Sequence, residues 1–332
     1  MVIVGQLRFT FACSPYDRMQ PLFNGTVSPE GIDLNFIPIE IEESAWRQLK
    51  HQEFDGSETS LSQYTQFRSR GDDRFIGIPV FTSRSFRHSC VYVNVHKGIR
   101  EPQDLKGKMV GVPEYTQTAA VWVRGIFQHE YGIRPGDVRW RTGGEEIPGR
   151  VEKLKLELPG VDFQPIPPEK TLSGMLDAGE LDALVAARAP SCFVTGSPHV
   201  KRLFENYWQV EEEYYRRTGI FPIMHTVIIK RSVYEENPWV ATSLFKACVA
   251  SKNIALKNLE QTHALYASLP WLVHHVDLTR RIMGVDWWPY GMDKNRKTIE
   301  ALCQYSFEQS LSARRMTVEE LFAPETFDES KV

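Results

Sequence analysis

The sequence predicts an α/β protein made of two lobes, with two crossings of the chain between them. Apolar strand-like segments alternate with amphipathic helical segments as far as about residue 230, and helical patterns dominate after that point. A chain of 332 residues is longer than a single hydrophobic core usually supports, so about two domains are expected. Two long apolar passages, at 75–93 and 221–230, are where the chain is expected to cross.

These crossings divide the chain. Residues 1–90 together with 223–332 are predicted to form the first lobe, and residues 91–222 the second. The mostly parallel sheets expected from the strand–helix alternation place loops at the carboxyl ends of strands, where ligands bind in open α/β sheets. We therefore expect a ligand in the cleft between the lobes.

The first elements follow from alternation of apolar and polar residues. Residues 7–13 predict a strand, and Ser14 and Pro15 are typical of a helix start. Residues 32–41 predict a second strand, and residues 42–54 a helix with two glutamates in its favourable first turn.

The segment Phe75–Cys90, FIGIPVFTSRSFRHSC, is the most informative stretch of the chain. Its apolar beginning predicts a buried strand, and an apolar VYV follows it at once. Between these runs lie Arg84, Arg87 and His88, which together could clamp an anion and supply a proton. The alternative is a crossing strand whose arginines pair with acidic residues of the protein.

The other candidate site residues lie where predicted strands meet helices or loops. They are Arg18, Glu58, Tyr115, Thr116, Arg188 and His225. Four of them have a structural alternative: an ion pair of Arg18 with Asp17, a solvated glutamate at a loop tip for Glu58, helix capping by Thr116, and a structural histidine at a strand start for His225.

The rest of the chain completes the alternation. Strands are predicted at 109–113, 181–188 and 224–230, and a strand with a glycine turn at 138–146. Helices are predicted at 119–131, 171–180 and 200–220, with residues 236–332 mostly helical. The pair Gly143-Gly144 matches no phosphate-binding fingerprint and is given no phosphate role.

Composition and charge argue against nucleic-acid-binding and membrane-spanning proteins. A net charge of −3 gives no basic surface for nucleic acid or an anionic membrane, and no apolar run approaches the ~20 residues that span a bilayer. The N-terminus lacks the pattern of a signal peptide, and the five scattered cysteines are expected to be reduced in a cytoplasm.

No metal site is expected, because His274 and His275 have no carboxylate or cysteine at ligand spacing. Aromatic residues in the C-terminal third make a homo-oligomer plausible.

Several segments together resemble the 4,5-dihydroxyphthalate decarboxylase family. They are YDRMQPLFNGTVSPEGIDLNFIPI, FDGSETSLSQY, FIGIPVFTSRSFRHSCVYVN, GIREPQDLKGKMVGVPEYTQTAAVWVRGI, TGGEEIPGR and LDALVAARAPSCF. The resemblance implies a two-lobed fold like that of type II periplasmic solute-binding proteins. It also implies conversion of 4,5-dihydroxyphthalate to protocatechuate and CO₂ in aromatic catabolism, without an organic cofactor.

This chemistry assigns provisional roles to the candidates. Arginines 18, 84, 87 and 188 would hold the two carboxylates, and Tyr115 or Thr116 would meet the catechol edge. His88 is the predicted acid that protonates the ring carbon, and His225 or Glu58 the predicted base. The alternatives are a solute-binding protein that captures an aromatic acid for transport, or another enzyme on the same fold.

Overall fold

A computed structural model describes residues 6–152 and 156–327 of the chain. The strands in chain order are β1 (Leu7–Cys13), β2 (Ile32–Pro38), β3 (Gly56–Ser60), β4 (Phe75–Arg84), β5 (Val91–Asn94), β6 (Met109–Val112), β7 (Arg139–Thr142), β8 (Phe163–Pro165), β9 (Ala183–Val185), β10 (Val200–Arg202) and β11 (Ile223–Lys230). The helices are α1 (Gln20–Phe23), α2 (Ile41–His51), α3 (Leu61–Ser69), α4 (Thr118–Tyr131), α5 (Leu172–Asp177), α6 (Ser191–Val194), α7 (Tyr207–Thr218), α8 (Arg231–Glu236), α9 (Trp239–Leu259), α10 (Leu272–Met283) and α11 (Arg296–Glu308).

The strands form two sheets. The first has the order β2-β1-β3-β11-β4, and the second has the order β10-β5-β9-β6-β7-β8. The chain passes from the first sheet to the second between β4 and β5, and it returns between β10 and β11. The exact lobe boundaries, 1–90 with 223–332 and 91–222, stay a prediction.

Both sheets are mixed, whereas the alternation of elements predicted mostly parallel ones. In the first sheet β1 is parallel to β2 and β3, but β11 runs antiparallel to β3 and β4. In the second sheet β6 is parallel to β7 and β9, and β7 to β8, but β5 is antiparallel to β9 and β10. The antiparallel members include β5 and β11, the first strands after each crossing, so their reversed direction follows from the crossings themselves.

Strand β4 is buried along almost its whole length, as its apolar sequence predicts. It lies at the edge of its sheet, so the missing N–H of Pro79 interrupts no central ladder. Its register against β11 shifts: His225 is opposite Ser83, whereas Val227 is opposite Ile78. The extra residues of β4 form a bulge, and bulges often re-aim a neighbouring side chain at a functional site.

Two local predictions need correction. Glu58 lies in β3 rather than at a loop tip. The last residue of that strand, Ser60, caps α3: its Oγ accepts a hydrogen bond from the N–H of Gln63 at 3.3 Å. The predicted helix over 200–220 is a short strand followed by α7. The mostly helical character predicted for 236–332 is confirmed by α9 to α11 as far as residue 327, and the last five residues lie outside the described part of the chain. Over the described ranges, no helix has the length and apolar character needed to cross a membrane.

Candidate functional site

A cleft of about 780 Å³ lies among segments that come from both sheets. From the first sheet it is lined by α2, by the start of α3, and by residues beside the β4–β5 crossing and at the start of β11. From the second sheet it is lined by the loops that follow β6, β7 and β9. These three strands are parallel neighbours, so their carboxyl ends bring the loops to one edge, as expected for a ligand site in an α/β sheet.

His225 lines this cleft and is oriented by a buried carboxylate. Its Nδ1 lies 2.8 Å from Oε1 of Glu58, which is fully buried and does not itself line the cleft. Among the described residues, Nε2 of His225 has no hydrogen-bond partner. The arrangement fixes the imidazole with Nδ1–H donating to Glu58, which leaves Nε2 to exchange a proton with a ligand.

Glu58 is held as an anion by the groups around it. Burial by itself raises the pKa of this carboxyl group, but His225 and the hydrogen bonds from Ser14 and Thr82 outweigh it and bring the pKa down to about 2. The N–H of Ser14 donates at 3.1 Å, and the hydroxyls of Tyr16 and Thr82 each donate at 2.9 Å. The predicted solvated glutamate at a loop tip is therefore wrong: Glu58 is an interior charge that positions His225.

Arg87 is the cleft arginine that is best suited to bind an anion. It is 9% exposed, and its guanidinium donates only to two sulfur atoms: Nε to Sδ of Met224 at 3.2 Å and Nη1 to Sγ of Cys90 at 3.4 Å. Sulfur is a weak acceptor. A buried guanidinium with such partners keeps most of its capacity for a carboxylate, which can bind it through two parallel hydrogen bonds.

The wall supplied by the second sheet carries several charges. Arg188 lines the cleft, with 73% of its side chain exposed and Glu42 of α2 at 3.7 Å. Arg150 donates to Glu114 from Nε at 2.9 Å, and both line the cleft. Glu145 lies among these groups. Arg188 is thus a second cation available to a dianionic ligand, since its ion pair is long and solvated.

Arg84 and His88 are not brought to the cleft. The guanidinium of Arg84 donates to backbone oxygens of Phe221 at 3.1 Å and Pro289 at 2.8 Å and to the side chain of Asn295. His88 is 2% exposed and packs edge-on against aromatic rings, and burial, with a smaller effect of Arg217, lowers its pKa to about 4. Their placement does not support the predicted clamp and acid: both serve packing where the chain crosses.

Arg18, Tyr115 and Thr116 also lie outside the cleft lining. Arg18 forms the ion pair with Asp17 at 2.9 Å and donates to the backbone oxygen of Thr82 at 2.6 Å, which helps to hold the Glu58 network. Tyr115 is fully buried, and Thr116 donates to Glu152 at 2.8 Å. Their placement does not support the predicted contacts of Tyr115 and Thr116 with a ligand.

The structure adds residues that the sequence reasoning missed. Trp46 and Lys50 of α2 and Glu145 of the loop after β7 all line the cleft. For Glu145 a signal was present, because it directly follows a strand and a Gly-Gly turn, the position where other candidates were sought. Within the described part of the chain, no group of three or more His, Cys, Asp or Glu side chains is arranged to hold a metal ion.

Comparison with known proteins identifies close relatives. The 4,5-dihydroxyphthalate decarboxylase of Comamonas testosteroni is 41% identical over 330 residues, which cover 99% of this chain and 100% of the relative. The protein of the same name from Pseudomonas putida is 42% identical over 216 residues, covering 65% of this chain and 84% of the relative. No protein-family model matches the sequence.

Solved structures establish the fold. The periplasmic aliphatic sulphonate binding protein SsuA of Escherichia coli matches with a TM-score of 0.55 at 11% identity, covering 97% of this chain and 98% of that one. A sulfonate-binding SsuA protein of Methylobacillus flagellatus matches with a TM-score of 0.54 at 12% identity, covering 97% and 93%. The two-lobed α/β architecture like that of periplasmic binding proteins is thereby confirmed, and at these identities the likeness concerns the fold alone.

Proposed function

Because this chain belongs to the 4,5-dihydroxyphthalate decarboxylase family, we propose that it converts 4,5-dihydroxyphthalate to protocatechuate and CO₂. The observation that carries the proposal is the 41% identity to a relative of that name over 99% of the chain. A carboxy-lyase of this kind needs a cleft that holds a small aromatic dianion and a group that can deliver a proton. The cleft supplies cations and an oriented histidine, so its chemistry agrees with the family.

The substrate carries two neighbouring carboxylates, and we assign Arg87 to one of them. Among the described residues, its buried guanidinium makes no direct hydrogen bond to a carboxylate, although Glu211 is near enough to interact with its charge, so binding the substrate breaks no direct contact of this kind. Arg188 is assigned to the second carboxylate, because its long contact with Glu42 is readily exchanged. The aromatic ring would then lie in the cleft between the two cations.

His225 is assigned to proton transfer, with Glu58 as its positioning residue. A carboxylate bonded to Nδ1 fixes the ring and counters the positive charge of the imidazolium, so Nε2–H can face the ring carbon that bears the leaving carboxylate. Glu58 cannot reach the substrate directly, because it is fully buried and lies outside the cleft lining.

The reaction consumes one proton for each CO₂ released. Nε2 of His225 gives its proton to the ring carbon, and the hydroxyl para to that carbon shares the positive charge of the dearomatised ring. The bond between ring carbon and carboxylate then breaks, its electron pair restores the aromatic ring, and CO₂ departs. The neutral His225 takes a proton from solvent, and the product keeps one carboxylate on Arg87.

We further propose that the reaction takes place in the cytoplasm. All five cysteines are buried free thiols, as expected in a reducing compartment.

The test is turnover by the purified protein with no added cofactor. We expect 4,5-dihydroxyphthalate to yield equal amounts of CO₂ and protocatechuate, measured by headspace analysis and by liquid chromatography. The rival is a solute-binding protein, which the fold of the SsuA structures favours. Tight binding of the diacid with no CO₂ would support that rival and contradict the proposed enzyme.

A further inference from the structure

Glu145 is a cleft residue that the assignments above leave unused. It lies three residues after β7, at the carboxyl end of a strand in the parallel part of the second sheet. It lines the cleft, and its Oε1 is buried without a hydrogen-bond partner among the described residues. Because the protein gives this oxygen no partner, rotation of the carboxyl group toward a ligand hydroxyl in the cleft breaks no hydrogen bond of Oε1 and makes a new one.

The turn before Glu145 is built to place it there. A Cβ on Gly143 would lie 2.3 Å from Cγ1 of Ile166, and one on Gly144 would lie 1.6 Å from the backbone oxygen of Ile147. Only glycine allows the chain to fold this tightly. The backbone oxygen of Glu145 then accepts a hydrogen bond from the N–H of Ser173 at 3.0 Å, which anchors the loop to α5.

The charges around Glu145 favour its neutral form. Burial is the largest cause that raises the pKa of this carboxyl group, Glu146 and Glu42 raise it further, and Arg188 and Arg150 oppose them, which leaves the pKa at about 7. A neutral carboxyl group both donates and accepts hydrogen bonds, as a phenolic hydroxyl does. Its neighbour Glu146 differs, because both of its oxygens accept hydrogen bonds from Ser191.

We propose that Glu145 determines specificity for the catechol edge, by hydrogen bonding to the ring hydroxyls of the bound aromatic acid. The proposal rests on the proposed function, since it assumes that the cleft of Arg87 and His225 is the substrate site. It also replaces the catechol contacts first expected from Tyr115 and Thr116. A site with a buried polar group that waits for a hydroxyl rejects ligands that lack one, because the group stays unpaired.

The experiment compares ligands that differ by one hydroxyl. Dissociation constants of protocatechuate and 4-hydroxybenzoate are measured by calorimetry at pH 6 for the natural protein and for Glu145→Gln, Glu145→Leu and Glu235→Gln. Glu235 is an exposed glutamate of α8, outside the cleft lining, and serves as the matched control. Thermal unfolding checks that each variant is folded.

We expect the natural protein and Glu235→Gln to prefer protocatechuate by roughly tenfold, the free energy of about one hydrogen bond. The preference should disappear in Glu145→Leu and survive in part in Glu145→Gln, whose amide also donates and accepts. An equal preference in folded Glu145→Leu would overturn the proposal.

A kinetic version separates this proposal from the proposed function. In 4-hydroxyphthalate the hydroxyl para to one carboxylate is kept and its neighbour is absent, so kcat/KM for the two diacids isolates recognition from chemistry. If the protein turns over the substrate and Glu145→Leu leaves the ratio of the two kcat/KM values unchanged, the role of Glu145 is contradicted and the decarboxylase is supported. If no turnover occurs but the preference for protocatechuate depends on Glu145, the role of Glu145 is supported and the proposed decarboxylase is contradicted.

Discussion

Two arginines three residues apart show how hydrogen-bond partners separate the proposed ligand-binding side chain, Arg87, from a structural one, Arg84. Both Arg84 and Arg87 are buried, and neither has an ion pair among the described residues. Arg84 meets strong oxygen acceptors supplied by the protein, whereas Arg87 meets only sulfur and lines the cleft. The partner atoms, which the sequence does not contain, decide which cation is available to a carboxylate.

The histidines offer a sharp comparison. We expect His225→Gln to lower kcat by roughly 10²–10⁴-fold with a small change in KM, because a glutamine cannot transfer the proton. His88→Gln, the same change at a buried aromatic contact, should lower the melting temperature and leave folded protein active. Steady-state kinetics with thermal unfolding distinguish these results. Loss of turnover in folded His88→Gln would restore the acid role first expected there.

Replacement of Glu58 tests its role as a positioning residue. Its pKa falls from 4.5 to about 2 on folding, so the ionised form contributes stability above pH 4.5, and that contribution is lost as the pH drops toward 2. Glu58→Gln should therefore unfold more easily at pH 7, by roughly 3 kcal/mol, and show a weaker dependence of stability on pH between 4.5 and 2.

The kinetic signature of Glu58→Gln is a lower kcat with a nearly unchanged KM, since Glu58 acts through His225 and does not contact the substrate. Urea unfolding at several pH values supplies the stability measurement. Unchanged kcat in this variant would contradict the orienting role of Glu58.

The sequence supports some of these residue assignments but could not rank them. Residue types and strand ends singled out Glu58, Arg87, Arg188 and His225. The contact of Glu58 with His225 joins positions 167 residues apart in the chain, and it depends on the pairing of β3 with β11. Local pattern cannot supply that pairing, because it is created by the second crossing.

At the scale of elements, β4 was predictable because its apolar run is typical of a buried strand. Strand β3 was not, because GSETS has low strand propensity and lies before a strong helix signal. It is a strand because β1 and β11 pair with it on its two sides. The bulge between β4 and β11, which lies on both sides of His225, likewise depends on register and could not be predicted from either sequence segment alone.

The end of β4 carries its own prediction through Arg84. Burial lowers the pKa of Arg84 to about 9, opposed mainly by Tyr290, and its hydrogen bonds join β4 to residues 221, 289 and 295. Arg84→Met removes the donor to the backbone oxygen of Phe221 and to Oδ1 of Asn295, whereas the oxygen of Pro289 still accepts from Nδ2 of Asn295, and the change should cost roughly 2–4 kcal/mol of stability. We expect KM of the folded variant to stay unchanged, as measured by steady-state kinetics. A large increase in KM with little loss of stability would instead place Arg84 in the substrate site.

At the scale of the whole molecule, a fold shared with ligand-binding proteins has acquired the groups for a reaction. The cleft between two sheets already gathers loops that can hold an anion, so an enzyme on this fold needs only a proton donor aimed at the bound ring. We propose His225 for this role because it lies on the strand that returns from the second sheet, next to the arginine of the first crossing. Met224, its neighbour, accepts a hydrogen bond from Arg87.

A ligand that contacts segments from both sheets should stabilise the whole protein. Protocatechuate at 100 times its dissociation constant adds about 2.7 kcal/mol, which for a chain of this length raises the melting temperature by about 4 °C. Arg87→Ala removes the buried carboxylate anchor and should reduce this shift to less than about 1 °C at the same concentration. Arg314→Ala, which breaks a surface ion pair with Glu320, is the control and should keep the full shift. An equal shift in Arg87→Ala, measured by calorimetry, would show that the aromatic acid is held without Arg87, and the assignment of the anchor would then fail.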